Sequence, residues 1–164
     1  MKRLFIKQQV FSFRDRFFVK DETEADVYYV EGEVLTLGKK LRVYDKADQE
    51  VLYIEQKLWR FLPEFDLYAK DNHVATVKKE FTFLKNNYQI LGKNWFIDGS
   101  VTAHEYVIRD NESKVIADIS KKWFSWGDSY EIIIYNDEQV DVLLGIVIAI
   151  DCVISQARAG NSSS

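Results

Sequence analysis

The sequence predicts a mainly β fold, a closed antiparallel barrel of about twelve strands wrapped around one C-terminal hydrophobic helix. Three observations carry this prediction. From Leu4 to Tyr135 the chain divides into about a dozen short runs rich in Val, Ile, Tyr and Phe, separated by polar turns and without a sustained helical period. The stretch from Gln139 to Arg158, QVDVLLGIVIAIDCVISQAR, is apolar on every side once wound as a helix, so no single sheet face could cover it. A barrel closed around it would, and closure also removes the exposed strand edges. Composition agrees, since hydrophobic residues make up 47%, aromatics 15% and charged residues 29% of 164 residues, enough for a core built without disulfides or metals.

One domain is expected over residues 1–158, with the helix at 139–158 inside it and a flexible tail at 159–164. The opening MKRLFIKQQVFSFRDRF lacks the apolar core of a signal peptide, because Lys7, Gln8 and Gln9 interrupt it.

In chain order, strands are expected at Leu4 to Val10 and Arg16 to Lys20, with Ser12 to Asp15 as a tight connection, and then along Val27 to Leu37, where Gly32 suggests a bulge. Lys40 to Asp45 and Val51 to Trp59 form a pair across the polar KADQE turn, and Phe65 to Lys70 and His73 to Lys79 form another across Asp71 and Asn72. Phe81 to Lys85 and Tyr88 to Leu91 flank an Asn86–Asn87 turn. Trp95 to Asp98, Glu105 to Arg109, Lys114 to Phe124 and Tyr130 to Tyr135 complete the series, the last after Gly127 and Asp128.

A weak repeat aligns Val51-Leu52-Tyr53-Ile54 with Val74-Ala75-Thr76-Val77 and Ile116-Ala117-Asp118-Ile119, and Asp45 stands as far before the first copy as Asp110 before the third. The two-residue period of a strand puts Leu52, Ile54 and Leu58 on one face, likewise Ala75, Val77 and Phe81, and Ala117, Ile119 and Trp123. Alanine in two copies leaves room for a central helix.

The helix has marked ends. Asn136 or Asp137 can cap it, Glu138 and Asp141 suit the positive end of its dipole, and Arg158 and Gly160 signal its stop. Its longest uncharged run, Val142 to Ile150, is far shorter than the roughly 20 residues a membrane span needs, so an internal post is expected and not an integral membrane segment.

The opening from Phe5 to Phe13, the Gly-Lys-Lys-Leu run at Gly38 to Leu41, the Tyr44-Asp45 turn and the Asp98-Gly99-Ser100 segment resemble the LURP-one-related family, which shares the tubby C-terminal-like fold. The resemblance extends over essentially the whole chain. It implies a twelve-stranded barrel around a hydrophobic C-terminal helix and no established catalytic chemistry. Tubby relatives bind phosphoinositide head groups through basic residues on the barrel and scramblases act at membranes, but those residues have no position-by-position match in this sequence, so the resemblance carries the fold and not the ligand.

A net charge of −4 gives no footprint for nucleic acid, and none is expected as a partner. Cys152 is the single cysteine, so no intrachain disulfide forms and a reducing, cytoplasmic setting is expected, with the thiol serving as a small hydrophobe. His73 and His104 have no cysteine or second histidine at ligand spacing, and no Walker loop, Rossmann glycine pattern or H-E-x-x-H occurs. No cofactor, no metal and no catalytic residue is expected, and His104-Glu105 near Ser100 has nucleophile and base types without a demonstrated geometry.

The site-like stretch is Lys121, Lys122, Trp123 and Trp126, where cations beside aromatics can hold an anionic head group at an interface. Lys78 and Lys79 occupy the matching place in the second repeat copy, and Lys57 and Arg60 flank Trp59 in the first. Together these eight are the candidate anionic-ligand residues of a monomeric, non-enzymatic binding or scaffold module. Its partner is anionic membrane lipid, met peripherally, or alternatively a protein with no lipid involved. Asp151, a carboxylate within the apolar helix, must find a partner or leave the dry core.

Overall fold

The computed structural model describes residues 1–7, 16–33, 36–80, 87–124 and 127–161. Its twelve strands are β1 (Lys2–Lys7), β2 (Phe17–Lys20), β3 (Asp26–Gly32), β4 (Lys40–Asp45), β5 (Glu50–Gln56), β6 (Glu64–Ala69), β7 (Asn72–Glu80), β8 (Asn87–Leu91), β9 (Trp95–Ser100), β10 (Glu105–Arg109), β11 (Val115–Phe124) and β12 (Gly127–Ile134). Each pairs antiparallel with its chain neighbours, and β1 closes on β12 from Lys2↔Ile134 to Lys7↔Ser129, so the expected barrel forms. The helix α1 (Val140–Asn161) follows a 3-10 turn at Asp137–Gln139, which the Asn136 side chain caps by accepting from the Glu138 N–H.

Inside the barrel α1 is covered on every side. Leu143, Leu144, Ile146, Val147, Ile148, Ala149, Ile150, Cys152 and Val153 are all fully buried, which no single apolar stripe could produce. At 22 residues the helix is about 33 Å long, enough to cross the barrel from end to end. It approaches β5, β6 and β7 most closely. There a Cβ on Gly145 would stand 2.6 Å from Leu52 Cδ1 and 3.0 Å from Leu67 Cδ2, and Ala75 on β7 is fully buried. The missing side chain of Gly145 thus lets the helix close on β5 and β6. Ala117 is buried too, on a strand the helix approaches less closely.

Antiparallel order gives the barrel two distinct ends. The turn end, where α1 begins, holds the β2–β3, β4–β5, β6–β7, β8–β9 and β10–β11 connections; the loop end, where α1 finishes, holds the others. Three turn-end connections are one structure repeated. Oδ1 of Asp21 accepts the N–H groups of Thr23 and Ala25, that of Asp45 accepts those of Ala47 and Gln49, and that of Asp110 accepts those of Glu112 and Lys114. The fourth residue of each is left-handed, Glu24 at φ 64°, Asp48 at 62° and Ser113 at 66°, and a bulge follows in the ladder. The Asp45 and Asp110 match in the sequence is this turn, and Asp21 begins a third copy.

Several expectations are corrected. Gly32 pairs in regular register with Leu41, and the bulges lie at Val19/Lys20, Val43/Tyr44, Leu67/Tyr68 and Ile108/Arg109 instead. Leu58 and Trp123 do not continue the inward faces of their copies; they are 41% and 77% exposed, because β5 ends at Gln56 while the far end of β11 runs out past the core. The left-handed residues of the β6–β7 hairpin are Lys70 and Asp71, one position before the expected pair. Strand β12 begins at Gly127, earlier than Tyr130, and α1 continues to Asn161, beyond Arg158 and Gly160, into the expected tail. The proposed Ser12 to Asp15 connection, most of the Phe5 to Phe13 motif, Val34-Leu35, the Phe81 to Lys85 strand, Asn86 and residues 162–164 lie outside the described residues.

Candidate functional site

Seven of the eight candidate residues lie at or beside the loop end, since they follow or close odd-numbered strands; Trp126 is outside the described residues. They form two groups. Lys57 and Arg60 belong to the β5–β6 loop, and β7 carries Lys78 and Lys79 alongside it, with Lys78 opposite Glu64 and the Lys79 N–H donating to the Pro63 carbonyl at 3.3 Å. Lys121, Lys122 and Trp123 sit on β11, separated from β7 by β8, β9 and β10. One patch would need these strands to be neighbours, and the topology makes two groups.

Charge in the first group is partly spent. Lys57 Nζ lies 3.2 Å from Glu64 and 3.3 Å from Asp66, and Arg60 reaches Glu64 at 3.6 Å. The hydrogen bond to Glu64 raises the Lys57 ammonium pKa, and the site is open enough for solvent to screen much of the gain. In the second group Lys122 reaches across to the buried Glu131 at 3.2 Å, while the Lys121 ammonium hovers 5.8 Å from the Trp123 ring.

The feature missed by sequence reasoning is apolar. Trp59 is 98% exposed and Phe61 95%, both in the β5–β6 loop, and Leu37 in the adjacent β3–β4 loop is 82% exposed. The two loops are joined: the Lys39 N–H donates to Gln56 Oε1 at 3.0 Å, the Gln56 N–H donates to the Lys39 carbonyl at 2.8 Å, and Gly38 at φ 81° lies against Leu58. Trp59 itself is left-handed at φ 61°, a conformation an L residue rarely adopts. A period-2 reading placed Leu58 and its neighbours inside. The clue to the loop was the run Leu58-Trp59-Arg60-Phe61-Leu62-Pro63, too long and too irregular for a strand end.

Each histidine meets an aspartate. His104, left-handed at φ 53° after a 3-10 turn at Val101–Ala103, places Nε2 2.9 Å from Asp151 Oδ1 and stacks its ring on Tyr130, centroids 4.5 Å apart. The Tyr130 hydroxyl donates to Asp151 Oδ2. The helix carboxylate is thus satisfied in the interior, and burial together with the Asp151 charge pushes the Tyr130 phenol pKa well up. Beside it the Tyr106 hydroxyl is fully buried and has no hydrogen-bond partner among the described residues. Cys152 is free and buried, and burial raises its thiol pKa, so it is a poor nucleophile.

On the outer wall His73 Nε2 contacts both Thr76 Oγ1, at 2.8 Å, and Asp66 Oδ1, at 3.3 Å. Both contacts use one ring nitrogen, whereas a nucleophile relay needs the two nitrogens to face different partners. His104 and Ser100 do not form such a pair either, since His104 turns inward to Asp151 and Ser100 Oγ contacts Thr102 at 3.5 Å. Among the described residues no group of three or more His, Cys, Asp or Glu side chains is placed to hold a metal ion, and no helix is long and apolar enough to cross a membrane.

Comparison with known proteins follows the fold. A family model described as LURP-one-related matches residues 2–151. The uncharacterised protein YxjI of Bacillus subtilis (strain 168) is 39% identical over 154 residues, covering 94% of both chains. An X-ray structure of an Arabidopsis thaliana protein superposes with a TM-score of 0.64 over 92% of this chain and 91% of that one, at 15% identity, and so shares the fold.

Proposed function

The chain belongs to the LURP-one-related family, and on that premise we propose that it is a non-enzymatic binding module whose loop end docks peripherally on anionic membrane lipid. One observation carries the reading: Leu37, Trp59 and Phe61 project from two interlocked loops with Lys39, Arg60, Lys78 and Lys79 close by in the chain and the ladder. Large rings held in solvent gain by entering the interface, and each lysine or arginine near an anionic surface adds about 1 kcal/mol. Trp123 and Lys121 on β11 supply a second contact at the same end. The protein acts in this reading as a cytoplasmic monomer.

A second reading is a protein-interaction module with no lipid affinity. It is favoured by the carboxylates of Glu64 and Asp66, which already neutralise much of the charge of Lys57 and Arg60 and leave the exposed rings as the dominant surface. Co-sedimentation with neutral and anionic vesicles over a salt series separates the two. Lipid docking predicts pelleting with anionic vesicles at low salt that fades as salt rises; absence of pelleting under those conditions overturns it.

A further inference from the structure

A cleft of about 370 Å³ opens on the barrel flank over β4, β5 and β6, lined by Arg42, Glu50, Tyr53, Glu55, Tyr68 and Asp71. These residues lie outside because their ladder neighbours Leu41, Val43, Leu52, Ile54 and Leu67 point into the core. Tyr53 and Tyr68 stand directly opposite in the β5–β6 register with ring centroids 6.1 Å apart. The Arg42 guanidinium lies 4.6 Å from the Tyr53 centroid, fixed by Glu33 at 3.0 Å and Glu50 at 2.7 Å. The wall repeats this motif at Tyr29, where Arg16 sits 4.3 Å from the ring centroid.

Charge in the cleft is unbalanced. Three carboxylates line it against the one guanidinium, which Glu33 and Glu50 already occupy. Among the described residues Glu55 pairs with Lys40 alone, at a loose 3.5 Å and with the Lys40 ammonium shared with the Tyr53 hydroxyl, and Asp71 makes no ion pair. An aromatic pair with spare negative charge is complementary to a planar cation, and a guanidinium can stack on a ring while donating to a carboxylate, which a lysine ammonium does less well.

We propose that this cleft receives an arginine side chain from a protein partner, its guanidinium stacked at Tyr68 and bonded by Glu55 and Asp71. Tyrosine and arginine are the residues in which interface hot spots are enriched. The site is independent of the lipid reading, because it uses the flank and none of the loop-end residues.

The test is fluorescence anisotropy of a fluorescein-labelled Ser-Arg-Ser-Arg-Ser peptide at about 0.15 M salt, where exposed long-range attraction is screened. The same peptide with citrulline, which keeps the shape and loses the charge, is the first control. Tyr68→Ala and Glu55→Gln are compared with Glu22→Gln, which removes equal charge from the β2–β3 turn, and all variants are checked for an unchanged melting transition. The proposal expects saturable binding of the arginine peptide, weakened about tenfold by citrulline, by Tyr68→Ala and by Glu55→Gln, and unchanged by Glu22→Gln. It is overturned by equal binding of the citrulline peptide, by an equal loss in Glu22→Gln, by absence of saturable binding, or by spermine displacing the peptide at equal concentration, which would make the occupant a free polyamine.

Discussion

At the end of the barrel where α1 begins, three hairpins close with the same aspartate-led turn, and carboxylates such as Asp21, Asp45 and Asp110 spend their oxygens on backbone N–H groups. At the opposite end the connections instead leave Leu37, Trp59 and Phe61 in water, as the end of β11 does Trp123. The same fold therefore treats polar and apolar side chains in opposite ways at its two ends. Where the chain must only reverse, sequence is used to satisfy the backbone. Where it presents rings with nothing to bury them, the side chains add little to stability, and their exposure is what the proposed docking draws on.

The contrast can be broken most forcefully inside the loop end, where Asp151, His104 and Tyr130 tie α1 to the wall. Asp151→Ala leaves the buried histidine and phenol without their acceptor and is expected to cost about 3–5 kcal/mol, read from denaturant unfolding. A loss under about 1 kcal/mol would mean that the loop end needs no internal anchor. At the turn end, Asp110→Ala removes the acceptor for the Glu112 and Lys114 N–H groups and should cost about 1–2 kcal/mol by the same measurement. A neutral result there would deny the turns their role. Tyr106→Phe removes a buried hydroxyl with no partner among the described residues. It should be neutral or stabilising by up to about 1 kcal/mol, and a clear destabilisation would place an acceptor beside it.

Much of this architecture was legible in the residues. Leu143 to Ile150 could be hidden only by walls on all sides, and the Asp45 and Asp110 turns repeat because the same backbone problem recurs. Strand ends were less legible. Trp123 and Leu58 share the inward parity only along the sequence: β5 ends before Leu58, and on β11 parity places a side chain in the core only as far as the core extends. The grouping of Lys57 and Arg60 with Lys78 and Lys79, and their separation from Lys121, depends on which strands are neighbours, and spacing along the chain carries no such information. The partner of Asp151 was equally hidden, since His104 and Tyr130 lie 47 and 21 residues away in sequence.

The central claim is that the exposed rings of the loop end, unlike the buried Asp151 anchor beneath them, serve binding and add little to stability. Its most direct test is the double variant Trp59→Ser with Phe61→Ser, in which thermal melting and partitioning onto anionic vesicles are measured side by side. The account predicts a stability change within about 0.5 kcal/mol, as for exposed side chains, together with a fall in vesicle partitioning of about tenfold or more. A large drop in stability, or partitioning that does not change, would contradict it.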